Sequence, residues 1–407
     1  QINGVGVTSS NPYVSAFKQR CRDMGATEVL GPGDVGRDTH VHAGWPRGTT
    51  GSNPGGCLPP SPPPSAPGGL LASAVNPTQI NLTWADNSNN ENNFIVSRSI
   101  SGGGYSDIVT LGANVTSWSN TGLVPGTTYS YLVRASNGSG SSANSNPASV
   151  RTRTSPCDFT GDGKTDYSIY RPSNGRWIVF GQPEQLWGTP GDIPVPGDYN
   201  GDGKTDIAMY RPSNGNWIVM GQPEVQWGTP GDVPVPGDYN GDGKTDIAMY
   251  RPSNGNWIVM GQPEQLWGTP GDIPVPGDYN GDGKTDIAMY RPSNGHWIVM
   301  GQPEQLWGTP GDIPVPGDYN GDGKTDIAMY RPSNGNWIVM GQPEQQWGTP
   351  GDVPAPGDYN GDGKTDIAMY RPSNGHWIVL GQPEQEWGIN GDLDLLLPYA
   401  IRKEFYP

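Results

Sequence analysis

Asp198, Asn200, Asp202 and Asp206 fall within one short stretch, DYNGDGKTD, and counted from Asp198 they hold positions 1, 3, 5 and 9. The backbone carbonyl of Lys204 stands at position 7, and Gly203 at position 6 permits a sharp bend. Alternate residues of a tight loop turn their oxygens to one side, so this spacing gathers hard oxygen donors around a point. Ca2+ takes six to eight such ligands at about 2.3–2.6 Å, whereas Mg2+ demands stricter octahedral geometry and keeps its waters. The loop is not an EF-hand. Met209 stands where a bidentate glutamate belongs, and DIAMYRP after the loop reads as strand rather than helix. Without a cation, three carboxylates in so short a turn repel one another.

The stretch returns at 238, 278, 318 and 358, with a looser copy at 158, giving a period of 40. A period of this size indicates a solenoid or a propeller. One unit holds four short strand candidates, DIPVPGDY, TDIAMYRP, NWIVMG and QLWG, separated by Gly, Asn and Pro turns. Four strands per unit suit a propeller blade. Pro194 and Pro196 are two apart, so both missing N–H groups face one edge and the strand cannot be central in its sheet. The expected fold is all-β: a six-bladed β-propeller of 40-residue repeats, preceded by a fibronectin type III-like β-sandwich and a small N-terminal segment. The tail GDLDLLLPY aligns with the inner strand GDIPVPGDY and could complete the first blade, while SVRTRTSPCDF competes for the same place.

The aspartate loops resemble the calcium loops of FG-GAP/VCBS-type repeats, which occur in integrin α-chain heads and bacterial secreted proteins. Carried over by position, the resemblance implies ligands Asp158, Thr160, Asp162, Lys164 (carbonyl) and Asp166 in the first copy. It implies Asp198, Asn200, Asp202, Lys204 and Asp206 in the second, and Asp238, Asn240, Asp242, Lys244 and Asp246 in the third. The fourth set is Asp278, Asn280, Asp282, Lys284 and Asp286; the fifth is Asp318, Asn320, Asp322, Lys324 and Asp326. The sixth is Asp358, Asn360, Asp362, Lys364 and Asp366. Thr160 departs from the pattern, which makes the first site the weaker one. About six Ca2+, one per repeat, are expected.

Stepping outward, residues 1–58 form a small segment with one helix candidate around NPYVSAFKQRCRDMG, where Tyr13, Phe17 and Cys21 recur at four-residue spacing. Residues 59–68 are a proline-rich linker of extended polyproline type. Residues 69–154 alternate apolar and polar, as in TQINLTWAD and TYSYLVRASN, and resemble a fibronectin type III domain. Trp84 lies in its early strand, and Tyr129 takes the tyrosine-corner position after Leu123 and Pro125. Residues 155–400 are expected to be the calcium-binding β-propeller and 401–407 a C-terminal tail. Of three cysteines, Cys21 and Cys57 are the natural pair, leaving Cys157 free or bonded between chains.

The net charge of −16 sits in the repeats and disfavours nucleic acid and anionic lipid as partners. No apolar run approaches a bilayer span. The start at Gln1, without a methionine or a signal-like stretch, reads as a processed, extracellular chain. GRDTHVHAGWP, with Asp38, His40 and His42, weakly resembles the last metal-binding stretch of secreted zinc D,D-peptidases, but lacks a third ligand, so an inactive remnant or structural segment is expected. Near-identical repeats offer no unique site for catalysis. The expected role is that of a secreted, calcium-stabilised structural or adhesive protein, a protomer of an extracellular filament or cell-surface assembly with itself or matrix as partner, and not an enzyme. The alternative is a carbohydrate-binding module using the paired tryptophans, such as Trp217 and Trp227, to stack on glycans. His296 and His376, at a turn position held elsewhere by Asn or Arg, read as surface replacements, and Arg211 as a turn anchor.

Overall fold

The computed structural model describes residues 18–20, 22–23, 28–30, 42–44 and 61–403. Residues 18–20 and 22–23 are helical, and Glu28–Leu30 pairs antiparallel with His42–Gly44, while Tyr13, Phe17 and Cys21 lie outside the described residues. The Cys21–Cys57 pairing and His40 lie outside the described residues.

The sandwich follows from alternation. Gln79–Ala85 and Thr128–Asn137 bury every second residue, so each presents one face to a shared core. One sheet holds Gly68–Asn76, Gln79–Ala85 and Ser117–Thr121; the other holds Asn93–Ile100, Ser106–Gly112, Thr128–Asn137, Gly140–Ser141 and Ala148–Arg151. Leu70, Ile80, Leu82, Trp84, Phe94, Val96 and Tyr131 fill the space between them. The Tyr129 hydroxyl accepts a hydrogen bond from the Val124 amide at 3.0 Å, which fixes the corner the sequence placed there.

The second to sixth copies each fold into the four strands read from their sequence. In the second copy these are Ile193–Pro194, Ala208–Arg211, Asn216–Val219 and Val225–Gln226, paired in chain order. The proline strand is an edge strand, as its missing donors require. Ala208, Met209, Tyr210 and Trp217 are fully buried. Met249 of the next copy packs into the cluster of Ile193, Val195, Tyr199, Tyr210 and Trp217, so the core lies between sheets as much as within them.

The expectation of a six-bladed propeller is corrected. The repeats form six separate four-stranded sheets, each open at both outer strands and none closed upon itself. Strands of two to four residues, cut short by proline on one side and glycine turns on the other, cannot carry pairing from one sheet into the next. Neighbours join instead through single bonds: the Thr245 amide donates to the Asp198 carbonyl at 2.7 Å, and the Trp227 indole N–H donates to the Ile258 carbonyl at 3.1 Å.

The first sheet draws its fourth strand from the far end of the chain. Leu393–Asp394 pairs with Ser168–Arg171, and Arg171 grips Asp392 at 2.7 and 2.8 Å. The Thr165 amide also donates to the Asp358 carbonyl at 2.7 Å, tying the first and sixth copies. The C-terminal segment therefore takes the place for which two segments competed; Ala148–Arg151 belongs to the sandwich. Beyond Pro398 the sequence reading missed a short helix, Tyr399–Arg402, which buries Ala400 and Ile401. Leu397 and Ile401 pack against Val275, Val315 and Val353, and Arg402 donates to the Pro194 carbonyl at 2.9 Å, so the chain end fills the space between proline strands.

Candidate metal centre

In the second to sixth copies the aspartate loop joins a proline strand to the second strand of its sheet, and glycine makes its shape possible. Gly201 and Gly203 have φ of 83° and 87°, a region that side chains rarely adopt. Their amides, with that of Asp202, turn inward and donate to the Asp198 carboxylate at 2.6, 3.0 and 3.1 Å. Asp202 caps the Lys204 amide at 2.9 Å. Asp206, from the far side of the loop, accepts from the Tyr199 amide at 2.9 Å and from the Asn200 side-chain amide at 2.8 Å. The third to sixth copies repeat these contacts with small variations.

The structure thus brings positions 1, 3, 5 and 9 of each predicted set into one small loop. Among the described residues, however, no three His, Cys, Asp or Glu side chains converge closely enough to hold a metal as they stand. The carboxylate oxygens face loop amides instead, and the Asn200 oxygen accepts from the Asp202 amide at 2.7 Å. Asp198 Oδ1 and Asp206 Oδ2 each accept two of these bonds, but Asp198 Oδ2 and Asp206 Oδ1 accept one each and keep a lone pair that could face a ligand. In the first copy Thr160 makes only long hydroxyl contacts, 3.3 Å to Asp166 and 3.5 Å to Asp158.

The loops are electrostatically strained. Burial, with neighbouring aspartates adding to it, pushes Asp166 and Asp366 up to about 6. The same causes raise Asp158, Asp206, Asp246, Asp286, Asp326 and Asp358. Hard, crowded anionic oxygens in a loop preshaped by glycine fit a hard divalent cation in donor chemistry.

Two arginines that the sequence reading passed over meet these loops. Arg153 Nη1 donates to Asp318 Oδ2 at 2.8 Å, and Arg151 Nη2 lies 3.6 Å from Asp198 Oδ2 while donating to the Gly243 carbonyl. The available signal was their place: two bases, in SVRTRTSPCDF, immediately before a strongly acidic array.

Other candidates resolve into packing. Arg211 binds Asp192 through two bonds of 2.8 Å, joining the ends of two strands, and the other copies repeat the pair. Trp177, Trp217, Trp257, Trp297, Trp337 and Trp377 are fully buried. His296 and His376 contact Glu304 and Glu384 at 2.9 and 2.6 Å, as Asn216 contacts Glu224 at 2.8 Å, which explains why the position accepts either residue. Cys157 is free and buried, and burial pushes its thiol up to about 12.

Residues 65–151 match the fibronectin type III domain model and residues 350–384 the FG-GAP repeat model. No curated protein matches the chain. Among solved structures, an Fn3-like protein from Clostridium thermocellum is similar at 33% identity, over 22% of this chain and 95% of that one, with a TM-score of 0.20. Titin domains A168–A170 are similar at 26% identity over 22% of this chain and 32% of that one, with a TM-score of 0.21. A β-1,2-glucanase from Parabacteroides distasonis is similar at 20% identity over 29% of this chain and 15% of that one, TM-score 0.21. The chain thus spans about a third of the titin fragment's length and less of the glucanase. Residues 65–151 are a fibronectin type III domain, and the array behind it carries an FG-GAP repeat at residues 350–384.

Proposed function

We propose that this chain is an extracellular structural or adhesive protein whose repeat array is stiffened by Ca2+, and that it assembles with copies of itself or with matrix at a cell surface. The observation that carries the reading is the sixfold recurrence of a glycine-shaped loop that holds three carboxylates and an amide or hydroxyl oxygen together, with burial and mutual repulsion raising the ninth-position aspartate. In the second copy Asp198, Asn200, Asp202, the Lys204 carbonyl and Asp206 would hold the ion. Calcium would supply the positive charge that lets these anions share one loop, and through that loop it would tie the proline strand to its neighbour.

Several features support a structural role. The loop faces are chemically near-identical, so they suit repeated weak contacts rather than one convergent catalytic pocket. Fibronectin type III and FG-GAP units are common in extracellular proteins. Among the described residues no helix is long and apolar enough to cross a membrane. The glycan alternative loses its main support, because one tryptophan of each pair is buried and the indole N–H of Trp187, Trp227, Trp267, Trp307 and Trp347 bonds the neighbouring sheet.

Negative-stain electron microscopy and light scattering of the full chain, with calcium chloride and with chelator, test the proposal. Ordered oligomers or filaments that require calcium are expected. A chain that stays monomeric at high concentration with calcium present would remove the assembly reading.

A further inference from the structure

The fibronectin domain is seated on the aspartate loops. A Cβ added to Gly203 would lie 2.3 Å from the Pro125 carbonyl oxygen; one on Gly163 would lie 3.1 Å from Pro77, and one on Gly363 2.6 Å from Asn76. Three loops of the array are thus covered by two turns of the sandwich. Arg151 and Arg153, on the segment that leaves the sandwich, reach the first-position carboxylates of the second and fifth loops, Asp198 and Asp318, and Arg151 also occupies the Gly243 carbonyl at position 6 of the third loop. The fourth loop differs: nothing lies within 4 Å of a Cβ on Gly283. A cavity of about 1020 Å³ remains between the domain, the loops and the C-terminal segment.

We propose that Arg151 and Arg153 serve as built-in cations at the second and fifth loops, so that docking of the fibronectin domain and filling of those loops by Ca2+ are mutually exclusive. The inference rests on the calcium reading above. A guanidinium against Asp198 or Asp318 supplies the charge that a metal would supply and blocks approach to the same oxygens. By linkage, whatever docking costs the metal, the metal costs docking. The six loops are therefore unequal despite near-identical sequence. The fourth is open, while the second and fifth fill only when the domain lifts away. Calcium would then both stiffen the array and free the fibronectin domain to meet a partner.

The test compares the full chain with R151Q/R153Q and R151K/R153K by isothermal titration with calcium chloride, with small-angle scattering at each stage. The wild-type chain should show two sites about tenfold weaker than the others, and its radius of gyration should rise as they fill. In R151Q/R153Q that gap should close and the chain should be extended before calcium is added. R151K/R153K, which keeps the charge, should stay close to wild type; if it behaves like R151Q/R153Q, guanidinium packing rather than charge holds the domain and the proposal fails. Equal calcium binding in all three proteins, with no change in dimensions, would overturn the competition while leaving calcium binding intact. Absence of calcium uptake by any of them would overturn both readings.

Discussion

The Asp192 and Arg211 pair shows how much a single contact can carry when it is repeated. Its equivalent, Asp232 with Arg251, leaves the aspartate 2% exposed and the arginine 26% exposed. Removing only the arginine strands a buried carboxylate, so R251A should lose about 1–3 kcal/mol by chemical denaturation, whereas R251A/D232N should lose less. The pair also sets a pH dependence. Burial by itself raises Asp192, Asp232, Asp272 and Asp312, but the arginine hydrogen bonds and the threonine amides outweigh it and hold them below the usual carboxylate range. A folded value below the unfolded one stabilises above the unfolded value, near 3.9, and is lost as pH falls through the folded one. The stability gap between wild type and R251A/D232N should be constant above about pH 5 and shrink below about pH 4. Most residue chemistry was visible in sequence, because oxygen spacing within a loop is local. The role of Arg211 as an anchor was legible in kind, but its partner 19 positions earlier was not. Arg151 and Arg153 stood out only by their place before the acidic array; their partners were not legible, since what they touch depends on how two domains meet.

Among elements, the four strands of each repeat were readable because their ends are marked by glycine and proline. Their arrangement was read as propeller blades, whereas the structure has six separate, open four-stranded sheets; a period counts units without fixing how they are arranged. The C-terminal helix was missed because DLDLLLPY has a strand-like apolar pattern, although pairing stops at Asp394 and the helix starts directly after Pro398. Two loop variants separate local strain from contact between elements. G203A and G283A impose a side chain at φ of 87° and 83°, but only the first also meets the Pro125 carbonyl. G203A should cost at least about 1 kcal/mol more than G283A, measured by thermal unfolding, and should loosen the sandwich in limited proteolysis. W227F, which removes the indole bond to Ile258 while keeping most of the ring, should cost about 1 kcal/mol.

At the scale of the whole molecule, the array's two ends are tied by Leu393–Asp394, by Arg171 with Asp392 and by Thr165 with Asp358. The tie has a weak point. Among the described residues the Trp387 indole N–H is buried without a partner, although five other copies make the equivalent bond to the next sheet. Hydrogen exchange should accordingly be faster at Ser168–Arg171 than at Ala248–Arg251, and equal protection would argue that the junction is as firm as the rest. On the proposed calcium reading the stiffness of the whole would depend on whether the loops carry cations, because crowded carboxylates otherwise work against the sheets they connect. Scanning calorimetry of the full chain, with calcium chloride and with an excess of chelator, reads this directly. With several sites each contributing about 2.7 kcal/mol at a hundredfold excess over Kd, the melting temperature should rise by many degrees on calcium addition and fall back on chelation. Superimposable curves under the two conditions would contradict calcium as the element that holds the array together.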